Sequence, residues 1–205
     1  MKEILLNINA DVGEGIGNEH LLFPLISSCN IACGGHTGDL ESMLAIVKLA
    51  KKHKLKMGAH PSFPDKENFG RKTISISKDE LLKSLIYQIE SLNRILIKEN
   101  CSLHHVKPHG ALYNLAANDK ETAKIIVDIM KKIDVKLYVP YSSLIAKIAK
   151  KANVQIYYEL FLDRNYNSDL TLVSRKNDNA LIKDSNVMFK HAYILVLEKL
   201  LVSRV

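Results

Sequence analysis

Short apolar, β-rich runs alternate along the chain with longer segments of helical periodicity. Strands are expected at Glu3 to Ala10, Leu25 to Ala32, Leu55 to Ala59, Leu103 to Val106, Lys136 to Val139 and Val154 to Glu159. Asp39 is placed to cap a helix carrying Met43, Ile46, Val47 and Ala50 on one face. Ser77 and Glu80 have capping-box spacing ahead of the stripe Leu81, Leu85, Ile89, Leu92 and Leu96, which predicts a long amphipathic helix. Further helices are expected from about Asn118 to Lys132, with Asn118 and Glu121 at capping-box spacing, over Ser142 to Lys151, and over Ser185 to Val202. A polar loop fills the interval from the sixth strand to about Asn179. Strands alternating with helices predict one parallel sheet with covered faces. A closed eight-stranded barrel needs about 250 residues, so 205 residues and six countable strands leave an incomplete or irregular barrel or an open doubly wound sheet. No repeat or linker divides residues 1–205, and one domain is expected.

Composition narrows the function classes. Apolar residues at 47% and charged residues at 25% belong to an ordinary globular protein, and the net charge is +7. The lysines are scattered, and the pairs Lys51-Lys52, Lys131-Lys132 and Lys150-Lys151 sit near predicted helix ends, where cations suit the dipole. With no arginine-rich run or RNA-binding motif, a nucleic-acid partner is not expected. Cys29, Cys33 and Cys101 are odd in number and lack C-x-x-C spacing, which excludes a disulfide framework and fits a reducing compartment. The N-terminal stretch has no unbroken apolar segment, and nothing approaches the about 18 apolar residues of a membrane span, so a cytoplasmic protein without membrane attachment is the expectation.

In parallel α/β folds the loops after the strand ends build the site. Here those positions carry Asn9, Asp11 and Glu14; then Asn30, His36 and Asp39; then His60, Asp65 and Arg71; then Lys107 and His109; and finally Asp163, Arg164 and Arg175. His36, His60 and His109 each follow a different strand beside Gly or Pro, and with Asp11 they form a candidate set for acid-base work or a divalent metal. Lys107, between a strand and the Pro108-His109-Gly110 turn, is suited to polarising an amide oxygen or holding a carboxylate or phosphate. No P-loop motif occurs, and the Gly13-Glu14-Gly15-Ile16-Gly17 run lacks dinucleotide-binding spacing.

The strings NADVGEG (Asn9 to Gly15), SSCNIACGGHTGD (Ser27 to Asp39), GAHPSFPD (Gly58 to Asp65), FGRK (Phe69 to Lys72), HVKPHGALYN (His105 to Asn114) and ELFLDRNYNSDLTLVSR (Glu159 to Arg175) resemble, in order, the pattern of the LamB/YcsF family. The resemblance implies a seven-stranded β/α barrel of the glycoside hydrolase/deacetylase kind. It also implies a role as the A component of an ATP-dependent 5-oxoprolinase working with subunits B and C. By the same resemblance, Asn9, Asp11, Glu14, Asn30, His36, His60, Arg71, Lys107, His109, Asp163 and Arg164 become the site residues. Asp11, His36, His60, Lys107 and His109 are the catalytic candidates. Asn9, Glu14, Asn30, Arg71, Asp163 and Arg164 are the substrate-binding ones.

The pattern departs from the family at Asn7, where Asp is usual, and at Leu170 and Ser174, where Gly and Pro are usual. By the same resemblance, family chains continue for about forty residues and add a strand ending in His-Gly-Asp, so the expectation is an unpaired sheet edge and fewer polar groups at the site, unless a partner chain or a second copy of this one covers that edge. Two alternatives stand beside the oxoprolinase reading: a non-catalytic interaction subunit, and a stand-alone metal-dependent deacetylase or amidase.

Overall fold

A computed structural model describes residues 7–174 and 176–197. It contains six strands among the described residues: β1 (Asn9–Val12), β2 (Ser28–Ala32), β3 (Lys56–His60), β4 (Leu103–Val106), β5 (Lys136–Pro140) and β6 (Ile156–Glu159). They form one parallel sheet in sequential order, β1 to β6. The sheet curls into a half-barrel, so that Asn7, just before β1, donates from Nδ2 to the Tyr138 hydroxyl of β5 at 2.9 Å. The seventh strand of the family pattern is not among the described residues.

Helices cover the outside. They are α1 (Glu19–Leu22), α2 (Leu40–Lys52), α3 (Lys78–Lys98), α4 (Gly110–Ala116), α5 (Lys120–Met130), α6 (Leu144–Lys151) and α7 (Ser185–Leu197). Period-2 alternation in the strands divides two environments. Cys29, Ile31, Met57, Ala59, Val106, Leu137 and Val139 face outward into an apolar core with the helices, including Leu85, Ile89, Leu92 and Leu96 of α3. The intervening residues line an inner surface that is mostly polar. Both cysteines at β2, Cys29 and Cys33, are free thiols whose burial raises their pKa to about 12, as suits small apolar packing residues.

The helix starts at Asp39 and Ser77 have the expected reciprocal caps: Asp39 accepts from the Ser42 amide at 2.8 Å, and Ser77 accepts from that of Glu80 at 3.3 Å. Three expectations shift. The α5 cap is Asp119, one residue later than Asn118, because its carboxylate takes both the Thr122 amide at 2.7 Å and hydroxyl at 2.6 Å. The strand expected from Leu25 begins at Ser28, since Phe23–Leu25 makes a 3-10 turn with Pro24 near its start. The helices α1 and α4 have no counterpart in the sequence pattern; α4 starts at a positive-φ glycine with no capping side chain, and Pro108-His109-Gly110 reads as a turn.

Candidate functional site

Asp11 and His60, just past the expected strand ends, lie within strands, as Asn9 and Asn30 do. Asn9 and Asp11 are in β1, paired with Ser28 and Asn30 of β2, and His60 ends β3. All four of Asn9, Asp11, Asn30 and His60 face inward, because a curled sheet gives every second residue to the interior. Asn30 binds this layer together: its Nδ2 donates to Asn9 Oδ1 at 2.6 Å and Asp11 Oδ1 at 2.8 Å, while its Oδ1 accepts from His105 Nε2 at 2.7 Å.

Lys107 reaches into the same mouth from the end of β4. It is 4% exposed and its Nζ lies 2.9 Å from Asp11 Oδ1 and 2.9 Å from Glu159 Oε1. Burial opposes its charge, but the Glu159 and Asp11 carboxylates outweigh that and hold the ammonium above its ordinary pKa. Burial would likewise raise the Asp11 carboxyl; His60 and Lys107 reverse this and keep it well below the usual carboxylate range.

Beside this triad stand the three histidines. His36 Nε2 lies 3.0 Å from Glu14 Oε1, and His36 stacks on His109 with ring centroids 3.7 Å apart and planes at 6°. His60 Nε2 lies 3.0 Å from His109 Nδ1 and 3.3 Å from Asp11 Oδ2. His60 Nδ1 donates to the Lys107 carbonyl at 2.7 Å, and His109 Nε2 to the Phe69 carbonyl at 3.0 Å. Burial lowers the pKa of both His36 and His109, to about 3 for His109, where the fields of His60 and His36 add to it. Neutral imidazoles beside ionised carboxylates are the donors a borderline divalent ion takes. One ligand atom each from Glu14, His36, His60 and His109 falls within 4.8 Å of all the others. The sequence pattern groups Asp11 with the imidazoles; Glu14 stands as close to them.

The remaining candidates lie at the periphery. Arg71 is exposed, its guanidinium carbon 5.0 Å from the Phe69 ring, and Phe69 in turn packs edgewise against His36 and His109. Asp163 is exposed, with its carbonyl accepting from the Ile182 amide at 2.8 Å. Arg164 is buried and braces the loop after β6 by donating to the carbonyls of Val173 at 2.6 Å and Ala180 at 3.2 Å. Arg175 and the expected helix beyond Leu197 fall outside the described residues, as does the start of the first expected strand.

Two inner residues escape sequence reading. Glu159 ends β6 as the second counter-charge of Lys107, and its only signal is an acid closing an otherwise apolar and aromatic strand. His105 is fully buried between Asn30 and the Tyr138 ring, on which it stacks at 4.1 Å. On the β6 side of Lys107 opens a cavity of ≈ 670 Å³, lined in part by Tyr113, Glu159, Phe161, Arg164 and Tyr166. Phe161 presents its ring 5.3 Å from Lys107 Nζ.

The sequence pattern of this mouth is shared. The model of the LamB/YcsF family matches residues 6–204. The chain belongs to the LamB/YcsF family. Among relatives of this LamB/YcsF chain, the A component of 5-oxoprolinase from Haemophilus influenzae (strain PittEE) is 43% identical over 185 residues, covering 89% of the chain and 75% of the relative. The A component of 5-oxoprolinase from Staphylococcus aureus (strain JH9) is 39% identical over 206 residues, covering 97% and 82%. A solved structure, the lactam utilization protein from Thermus thermophilus, superposes with a TM-score of 0.91 at 38% identity, covering 95% of the chain and 82% of that protein. No helix of this LamB/YcsF chain, among the described residues, is long and apolar enough to cross a membrane.

Proposed function

We propose that this chain is the A component of an ATP-dependent 5-oxoprolinase, opening the lactam of 5-oxo-L-proline to L-glutamate with two partner subunits, B and C. The observation that carries the reading is the convergence of Asp11, Lys107 and three histidines at one mouth beside a ligand-sized cavity, in a chain 39–43% identical to proteins named as the A component of 5-oxoprolinase.

A lactam is a weak electrophile, so ring opening needs its carbonyl polarised, a water deprotonated and the departing nitrogen protonated. Asp11, ionised and aimed at His60, and His109, neutral with Nδ1 facing the cluster, are the bases available to the water. Lys107 is the cation available to the developing oxyanion or to a phosphoryl group, and its ammonium sits between Asp11 and the cavity. Water adds to the carbonyl carbon, the ring C–N bond breaks, and the nitrogen leaves as the amine of glutamate after taking a proton. ATP hydrolysis to ADP and phosphate supplies the driving force, with the nucleotide held together with the partner subunits. Asn9, Glu14 and Asn30 position the mouth, and Arg71, exposed beside Phe69, and Arg164, which lines the cavity while two of its donors brace the loop, are the cations for the substrate carboxylate. The family barrel is completed by its seventh strand.

The test is reconstitution with candidate B and C subunits and an assay for glutamate formed from 5-oxoproline. Release that requires ATP and all three subunits, and that falls by on the order of a hundredfold or more in Asp11→Asn and Lys107→Ala, supports the reading. Wild-type turnover in either variant removes that residue's role, and no ATP-dependent glutamate with any partner pair removes the function.

A further inference from the structure

The tautomers of His60 and His109 are fixed by backbone. A carbonyl oxygen only accepts, so the ring nitrogen facing it carries the proton. His60 therefore bears its proton on Nδ1, against the Lys107 carbonyl, and His109 bears its own on Nε2, against that of Phe69. When both rings are neutral, as metal-binding imidazoles are, each keeps a lone pair on the other nitrogen, and those two nitrogens face each other at 3.0 Å.

The surrounding atoms are also acceptors. Asp11 Oδ1 is engaged by Asn30 and Lys107, which leaves Oδ2 aimed at His60 Nε2 at 3.3 Å. Glu14 Oε1 lies 3.6 Å from His109 Nδ1 and 3.9 Å from His60 Nε2. In that neutral state His60 Nε2 and His109 Nδ1 face each other as acceptors, with Asp11 Oδ2 beside His60 and Glu14 Oε1 within 3.9 Å of both rings, an arrangement that is repulsive until a cation stands among them.

Ring orientation decides which residues reach that cation. His60 and His109 meet at 84°, so one point can lie in both ring planes, along both lone pairs. His36 and His109 are parallel within 6° at 3.7 Å, so a point in the plane of His109 lies well outside that of His36. His36 instead donates from Nε2 to Glu14 Oε1 at 3.0 Å and fixes that carboxylate. Two ligands about 2.1 Å from one ion stand roughly 3.0 to 3.4 Å apart; the His60–His109 and His60–Asp11 separations of 3.0 and 3.3 Å already lie in that range, and Glu14 at 3.6 and 3.9 Å from the two rings needs a small contraction.

We propose that His60, His109, Asp11 and Glu14 hold one divalent transition-metal ion of the zinc class, with His36 positioning Glu14 from outside the coordination sphere. The ion deepens the lactam-opening reading and rests on it only for its role, which is to polarise the carbonyl or acidify a bound water at this mouth, in place of direct deprotonation of water by Asp11 or His109.

The test is titration of the chelator-stripped chain with Co²⁺, followed by visible absorption, and with Zn²⁺ in competition. The expected result is one saturable equivalent. Affinity should fall by more than about 100-fold in His60→Ala and His109→Ala but by only about 10- to 100-fold in His36→Ala, with the Co²⁺ bands kept. Circular dichroism checks that each variant folds, and the wild-type titration needs no variant. Absence of saturable Co²⁺ or Zn²⁺ uptake by the wild-type chain overturns the proposal and leaves a shared proton between the two imidazoles. Undiminished uptake in His60→Ala or His109→Ala, or a loss in His36→Ala as deep as theirs, overturns the ligand assignment. Uptake with no glutamate in the reconstituted assay retains the ion and removes the lactam role; glutamate from a stripped chain that takes up no metal does the opposite.

Discussion

Asp11 and Glu159, carboxylates on the first and last strands of the described sheet, share one buried ammonium, each oxygen 2.9 Å from Lys107 Nζ. The two edges do not pair with each other among the described strands, so this triad ties the mouth where backbone hydrogen bonds do not.

Removing the cation should therefore cost more than removing either acid. In Lys107→Met two carboxylates face the mouth without their ammonium, Asp11 keeping only Asn30 and His60 beside it, and a loss of about 3–5 kcal/mol is expected. Glu159→Gln keeps the Lys107–Asp11 pair and should lose less. The double variant should regain part of the Lys107→Met loss by removing one bare charge. Urea-unfolding midpoints measure all three, and a Lys107→Met midpoint equal to that of the wild type would refute the tie.

The loop that seats His109 depends on two glycines. Gly70 and Gly110 have φ of +62° and +54°, and a Cβ on Gly110 would fall 2.6 Å from the Gly70 carbonyl oxygen. That carbonyl accepts from the Ala111 amide at 2.9 Å, so Gly110→Ala must push Phe69-Gly70 away from His109. At Gly17 φ is +76° but nothing lies within 4 Å, so Gly17→Ala carries backbone strain without crowding. In the reconstituted assay Gly110→Ala should lose on the order of a hundredfold in turnover by displacing a reacting group, and Gly17→Ala far less. Equal losses would mean that strain, not the seating of His109, is what matters.

The helices and their caps are legible in the sequence because Asp39, Ser77 and the Leu81–Leu96 stripe encode them locally. The histidines are legible because His36, His60 and His109 recur after strand-like runs. Which residues lie inside the strands is not. The first expected strand stops at Ala10, one residue short of Asp11, yet Asn9 and Asp11 alternate with Ala10 and Val12 around a polar-lined interior that exists only once the sheet curls. Glu159 and His105 acquire meaning through partners on distant strands, and Arg164, which motif position offers as a substrate contact, spends two donors on loop carbonyls.

His105 makes stability depend on pH. Burial, then the fields of His104 and Lys107, push its pKa from 6.5 down to about 2, and burial with Lys136 and Lys56 pushes His104 to about 4. Well above pH 6.5 both are neutral in either state and the stability is fully present. As pH falls below 6.5 the unfolded chain takes up protons that the folded chain refuses, so stability declines, through about 4 for His104 and on toward about 2 for His105. The full slope for His105 is about 1.4 kcal/mol per pH unit. His105→Gln should flatten the unfolding free energy between pH 6 and 4.5 by close to one proton, and an unchanged slope would show that His105 titrates normally in the folded chain.

Gly58 is the floor on which that ring lies. A Cβ built there would collide with Nε2, Cδ2 and Cε1 of His105, while Tyr138 covers the opposite face at 4.1 Å and Asn30 holds Nε2 at 2.7 Å. The ring has no free direction, so Gly58→Ala should force His105 off Asn30, and Asn30 in turn holds Asn9 and Asp11. The expected loss is about 1–3 kcal/mol from overpacking, with a further loss of turnover as Asp11 drifts. Gly58→Ala combined with His105→Ala should recover stability relative to Gly58→Ala alone, because the methyl then fills space the imidazole has vacated. Simple additivity of the two substitutions in thermal or urea unfolding would mean that Gly58 and His105 are not packed as described.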